Sequence, residues 1–332
     1  MFDCSLIESD NRLPAEISVD TIDDIQYVKI NIKKIVAEDY YLVTPDTDFS
    51  ANTAFNTLNS WSSGEGIVQY HNYHVTLGTN DNQALHCPAV SCSFPGNKLT
   101  IGSKTNPGRM DYATTHVWSF NDLQLVNGKI VYHCGLGSHF NTTTPAGIKG
   151  SITVFSQIDN PFVFEAAPNN KTLQYAVYPN ALLGDADSAV SFRAPSSSYG
   201  TIVNAGSGMQ RDGFSSFKGT VILDGIILRI GEFAQFGNMK GFIFKNGGGF
   251  RTRSASGGSW SNPKLPVFIE ETGGVVVPDT STISASVPFY GGPLTCIAGV
   301  SWTYAGKMAV SVFTNNTSTA IMRSGANLFN GR

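Results

Sequence analysis

The sequence predicts an all-β fold, and three observations carry the prediction. Charged residues make up only 14 % of the 332 residues, while glycine occurs 34 times and phenylalanine 21 times. Such a mixture suits short strands punctuated by turns, not helices built from Ala, Leu, Glu and Lys. From Trp61 onward, short runs of apolar residues alternate with polar ones, the period of a strand with one buried face. Gly, Asn, Asp and Pro separate these runs, and no long amphipathic helix is legible; residues 48–60 are the nearest candidate for a short one. A hydrophobic content of 41 % is ample for a core.

Residues 1–48 differ from the rest of the chain. They carry an acidic cluster (Asp20, Asp23, Asp24) and the alternating run Ile25-Gln26-Tyr27-Val28-Lys29-Ile30-Asn31-Ile32, which reads as a half-buried strand. Ile35 to Val43 offers a second strand. This region is expected to be an N-terminal cap or the end of a preceding domain, with one repetitive domain over 49–332.

Within 49–332, strand-like runs recur around Tyr73–Leu77, Leu99–Ile101, Leu123–Val126, Ile148–Val154, Phe217–Asp224 and Phe242–Phe244. In the best stretch they return every ~20–30 residues, the length of one coil of a solenoid whose coils bury their inner faces only by stacking. Asn-Gly and Asp-Gly pairs follow several runs, where a turn requires positive φ. The expected architecture is therefore a right-handed parallel β-helix. A β-sandwich with jelly-roll topology is the alternative; the shortness of the strands and the density of turns favour the helix. Leu99, Ile101, Leu123, Leu125, Ile152, Val154, Val221 and Leu223 are expected to point inward and stack.

Net charge is −3, with no basic block, so a nucleic-acid partner is not expected. Membrane insertion is not expected either, because apolar stretches such as Val275-Val276-Val277 are strand-sized. The start, Met1-Phe2-Asp3-Cys4, does not read as a signal peptide; export would then depend on a segment outside this chain or on another route. Five cysteines (Cys4, Cys87, Cys92, Cys134, Cys296) are an odd number, which excludes complete pairing within one chain. Cys87 and Cys92 are the candidate disulfide; the alternative is that most of the five are buried thiols packing as small apolar groups.

Few side chains suggest chemistry. His86-Cys87 with Cys92, and His133-Cys134 with His139, contain ligand types but lack paired zinc-site spacing. His71 and His74 flank a strand and are expected on opposite faces. No metal and no cofactor is predicted. The catalytic candidates are Asp185 and Asp187, with Arg193 nearby: on a strand, residues two apart share a face, and coupled carboxylates can divide acid and base roles. The same Gly-Asp-Ala-Asp segment is also ordinary turn chemistry. Glu270 and Glu271 are adjacent and would point apart. No nucleophile elbow or phosphate loop is present, and the glycine runs at Asn246–Gly249 and Ser256–Ser259 read as loops. Trp61, Trp118, Trp260 and Trp302, with Tyr70 and Tyr73 taken as exposed, are aromatic faces that could meet the C–H face of a sugar, or fill the core. Trp260, Arg251 and Arg253 are the ligand-binding candidates, the arginines as grips for an acidic sugar.

A family resemblance rests on consecutive segments. Asn59-Ser60-Trp61-Ser62-Ser63-Gly64 is followed by Phe94-Pro95-Gly96-Asn97-Lys98-Leu99-Thr100-Ile101-Gly102, by Leu123-Gln124-Leu125-Val126-Asn127-Gly128-Lys129-Ile130 and by Ile148-Lys149-Gly150-Ser151-Ile152-Thr153-Val154. In this order the chain resembles extracellular β-solenoid proteins with autotransporter-associated β-strand repeats, in the pectate-lyase-like β-helix superfamily. Residues 59–154 carry the resemblance best, and Phe217 to Gly225 extend it. It implies an extracellular or cell-surface scaffold or adhesin-like module, non-catalytic, with polysaccharide or cell-surface glycan as the candidate partner. Two other readings stand beside it. One is a polysaccharide lyase or glycoside hydrolase on the same fold, marked by clustered Asp, Lys or Arg in a groove on one outer face. The other is a phage tail fibre or tailspike, marked by a trimer in solution.

Overall fold

The structure is a computed structural model. It describes residues 15–22, 25–32, 36–45, 60–77, 84–86, 92–112, 117–132, 147–166, 182–193, 202–204, 214, 216–230, 236, 238–252, 259–260, 262–278, 283–297, 302–316 and 320–322. Every regular element of any length among them is a strand. No helix there is long and apolar enough to cross a membrane. The short-helix candidate at 48–60 lies almost wholly outside the described residues.

Ala15–Ile22 and Ile25–Ile32 form an antiparallel hairpin, in register from Ala15 opposite Ile32 to Ile22 opposite Ile25. The second strand is the one its alternation predicts, but its described side chains show no buried face: Ile25, Tyr27 and Val28 are exposed. Among the described residues this two-stranded sheet pairs only with itself. Alternation can bury a face only where a further layer packs against it.

All the other sheets are parallel. The longest has ten strands, each beside the next: Leu85–His86, Gly108–Tyr112, Gly128–Tyr132, Phe162–Ala166, Ala189–Arg193, Thr220–Asp224, Gly241–Lys245, Val267–Ile269, Phe289–Gly291 and Met308–Val310. The step from one strand to the next varies from 19 residues (Phe289 to Met308) to 34 (Gly128 to Phe162). A seven-stranded sheet accompanies the first half, running from Asp39–Tyr41 to Leu182–Leu183. A six-stranded sheet, Ile202–Asn204 to Phe313–Asn315, and a four-stranded sheet, Ser259–Trp260 to Ala320–Met322, accompany the second. Towards the C-terminus the chain visits three sheets in a fixed order. Val267–Ile269 leads to Gly274–Val277, then Ile283–Ala285, and the chain returns to the long sheet at Phe289–Gly291, one position further along. These elongated, sequential parallel sheets fit a β-helix-like or similar elongated parallel-sheet fold, not the jelly-roll alternative, whose sheets are antiparallel.

Period-two alternation fixes which side chains stack. One inward row of the long sheet runs in register through Leu85, Met110, Ile130, Phe164, Phe192, Leu223, Phe244 and Ile269. A second runs through Phe162, Val190, Val221, Phe242, Val267, Phe289 and Met308. All of these are buried and belong to one continuous apolar cluster. Burying each such side chain contributes about 1.5–3 kcal/mol. The eight residues expected to point inward, Leu99 to Leu223, are all buried in it.

Tyr73 departs from expectation. It is fully buried, its ring edge-on to Trp61 and Phe94. Its hydroxyl accepts from the Val68 N–H at 2.7 Å, so the polar tip is satisfied inside the core. The glycine run at Asn246–Gly249 is only partly a loop. Asn246 and Gly247 take positive φ in a two-residue turn, and Gly248 and Gly249 already belong to strand Gly248–Thr252.

Candidate functional site

The outward row of the long sheet, between its two buried rows, runs in register through Lys129, Val163, Ser191, Ile222, Ile243, Phe268 and Tyr290. The next outward row carries Glu165, Arg193, Asp224 and Lys245. Parallel pairing sets these residues on adjacent strands, so side chains some 20–36 positions apart in the chain become neighbours. Lys129 Nζ lies 3.0 Å from Glu165 Oε1, Arg193 Nε 3.0 Å from Asp224 Oδ2, and Lys245 Nζ 3.7 Å from Glu270 Oε2. Asn246 Nδ2 donates to the other Asp224 oxygen at 2.6 Å. Asp224 is thus nearly buried and held on both oxygens, while Arg193 remains part-exposed.

These side chains wall a groove of about 550 Å³ lined by Lys129, Ser191, Arg193, Asp224, Lys245 and Glu270 among others. Beneath it lies a buried serine. Ser191 is buried, and its hydroxyl has no hydrogen bond among the described residues. One side of the groove is the turn Gln157–Asn160, closed by an Asn160 N–H to Gln157 carbonyl bond and tied back by Asn160 Nδ2 donating to Asn127 Oδ1, each at 3.0 Å. Ile158 and Asp159 line both this groove and a second cavity of about 390 Å³, which Asp187, Lys240 and Phe268 also line.

The sequence candidates fall in different places. Arg193 lies in the groove. Asp185 and Asp187 are in a turn, not on a strand. Asp185 Oδ1 lies 3.0 Å from the Ser188 hydroxyl and accepts the Asp187 and Ser188 backbone N–H groups at 3.0 Å each. The Ser188 hydroxyl first, then the Asp187 N–H, hold this carboxyl below its ordinary range. Asp187 is exposed, its Oδ1 3.8 Å from Lys240 Nζ at the second cavity. Arg251 is half-buried on the six-stranded sheet, in register with Arg229 and Val277, and so away from the groove. Trp260 lies in the four-stranded sheet, in register with Ala285; its side chain and Arg253 lie outside the described residues. Trp61 and Trp118 are buried in the core. Cys92 is a half-buried free thiol, and Cys87 lies outside the described residues.

The histidines near the N-terminus are engaged with neighbours. His71 Nδ1 accepts the Glu38 N–H at 3.0 Å, and His74 Nε2 lies 2.9 Å from Asp39 Oδ1. Sequence reasoning missed one buried ionic cluster. Arg109 meets Asp111 through Nε at 2.6 Å and Nη2 at 2.9 Å, with His86 Nε2 3.8 Å from Asp111 Oδ2. The Arg109-x-Asp111 spacing on one strand face was the available signal. Among the described residues no three His, Cys, Asp or Glu side chains are grouped to hold a metal ion. No family model, no curated protein and no solved structure matches this chain.

Proposed function

We propose that the chain is a right-handed parallel β-helix, an extracellular scaffold or adhesin-like module of the kind built from autotransporter-associated β-strand repeats, and that it holds a polysaccharide along the outer face of its long sheet. The single observation that carries this reading is the groove over Ser191. Paired charges line it, so it presents fixed donors and acceptors to hydroxyl groups without a large excess of either sign. Such an array suits a ligand rich in hydroxyls.

A second reading is favoured by one specific feature, the clustering of Arg193, Asp224, Lys245 and Glu270 in that groove. This is the mark of a polysaccharide lyase or glycoside hydrolase on the same fold. Against it, each of these carboxylates is already engaged by a cation, whereas acid–base catalysis needs two groups with separated proton affinities. The deciding experiment incubates the protein with a panel of neutral and uronic-acid polysaccharides, measuring binding by calorimetry and product size by mass spectrometry. Binding with unchanged chain length is the expected result. Cleavage lost in Asp224→Asn establishes the enzyme instead, and cleavage lost in Asp185→Asn or Asp187→Asn places it in the neighbouring turn.

A further inference from the structure

Phe268 sits between two buried residues, Val267 and Ile269, yet its own side chain is 51 % exposed. Tyr290, in register on the next strand, stacks against it with ring centroids 5.6 Å apart and planes at 28°. Lys307 Nζ lies 5.2 Å from the centre of the Tyr290 ring and extends the stack. One face of Phe268 is therefore covered, and on the side of Ile243 the residue walls the second cavity, about 390 Å³ in volume. An exposed aromatic costs free energy in water unless something covers it, and a rigid, pre-stacked ring loses little entropy when it is covered.

The same cavity is also lined by charged groups. Asp187 and Lys240 form a loose exposed pair at 3.8 Å, and Asp159 adds a second carboxylate. Two carboxylates against one ammonium leave an excess negative charge, which repels an anionic ligand and offers acceptors to hydroxyl groups.

We propose that this cavity is a subsite for a neutral pyranose unit, its apolar C–H face against Phe268 and its hydroxyls toward Asp159, Asp187 and Lys240. This rests on the glycan-binding reading and adds the sugar class and the residue that selects it. The site adjoins the groove through the Ile158–Asp159 turn, so one chain can run through both.

The test is saturation-transfer NMR and calorimetry with neutral hexose oligosaccharides (gluco-, manno- and galacto-series) against oligogalacturonate. Wild type, Phe268→Ala, Phe268→Tyr and Arg193→Ala are compared, with circular dichroism to confirm folding. The expected result is tighter binding of a neutral oligosaccharide, at least tenfold weaker in Phe268→Ala and retained in Phe268→Tyr. Preference for the uronate, or neutral-sugar binding that Arg193→Ala reduces and Phe268→Ala leaves unchanged, overturns the subsite while the glycan-binding groove stands. Failure of wild type to bind any of these sugars overturns both.

Discussion

Arg193 and Asp224 are 31 positions apart in the chain and 3.0 Å apart in space, joined across adjacent parallel strands on the outer face of the long sheet. Asp224 is the more buried partner and keeps a second bond from Asn246, so losing Arg193 does not leave it bare. A double-mutant cycle of Arg193→Ala and Asp224→Asn, read from urea denaturation, should give a coupling of about 1 kcal/mol. A coupling of opposite sign would contradict the pairing.

The stacked interior makes a larger prediction. Leu125 is fully buried and in register between Ile101 and Val154 on neighbouring strands. Leu125→Ala should cost about 2–5 kcal/mol in the same measurement. A cost below about 1 kcal/mol would place this residue at the surface.

Two neighbouring glycines separate backbone strain from lack of space. Gly247 has φ +75° with nothing near the position a methyl group would take, whereas a methyl on Gly249 would fall 1.7 Å from the Val275 carbonyl oxygen on the paired strand. Gly247→Ala should cost about 1–2 kcal/mol, the penalty of a left-handed conformation alone. Gly249→Ala should cost more than about 3 kcal/mol or abolish folding, because the obstacle is backbone that cannot move without opening the ladder. Equal thermal shifts for the two variants would contradict the parallel register at this point.

The core thiol predicts a pH dependence. Burial pushes Cys296 up to about 12, because the low-dielectric interior penalises the thiolate. The unfolded chain ionises first as pH rises past ~8.5, so from there to about 12 it binds fewer protons than the folded chain and stability falls. Below that window the thiol is neutral in both states and contributes no slope. In Cys296→Ala the alkaline loss of stability should be shallower than in wild type. Native Cys296 should also resist iodoacetamide while half-buried Cys92 reacts first; the reverse order would place Cys296 outside the core.

Much of the interior was legible in the sequence, because alternation is local. Leu99 with Ile101, and Val221 with Leu223, announce a buried face within a single strand. Asn246-Gly247 likewise announces its own turn. The outer face was not legible in the same way. Arg193 finds Asp224 only once the step from one strand of the long sheet to the next is known, and that step changes along the sheet. Phe268 lies within the apolar run Val267-Phe268-Ile269, which gives no sign of which member faces outward. Asp185 follows the turn reading of its Gly-Asp-Ala-Asp segment: the carboxylate serves its own turn's N–H groups, whereas the shared-face pairing with Asp187 would need a strand. Tyr73 misled because its hydroxyl finds Val68 inside the core.

Hydroxyl-radical footprinting with and without a bound neutral oligosaccharide shows whether the outer face of the long sheet receives a glycan. Ile158 and Phe268 are 45 % and 51 % exposed at the site, and Phe155 and Val312, both 54 % exposed, serve as internal references because neither lines the groove or its neighbouring cavity. Ligand should lower labelling of Ile158 and Phe268 severalfold and leave Phe155 and Val312 unchanged. Protection confined to Phe155 or Val312, with Ile158 and Phe268 labelled as before, would contradict it.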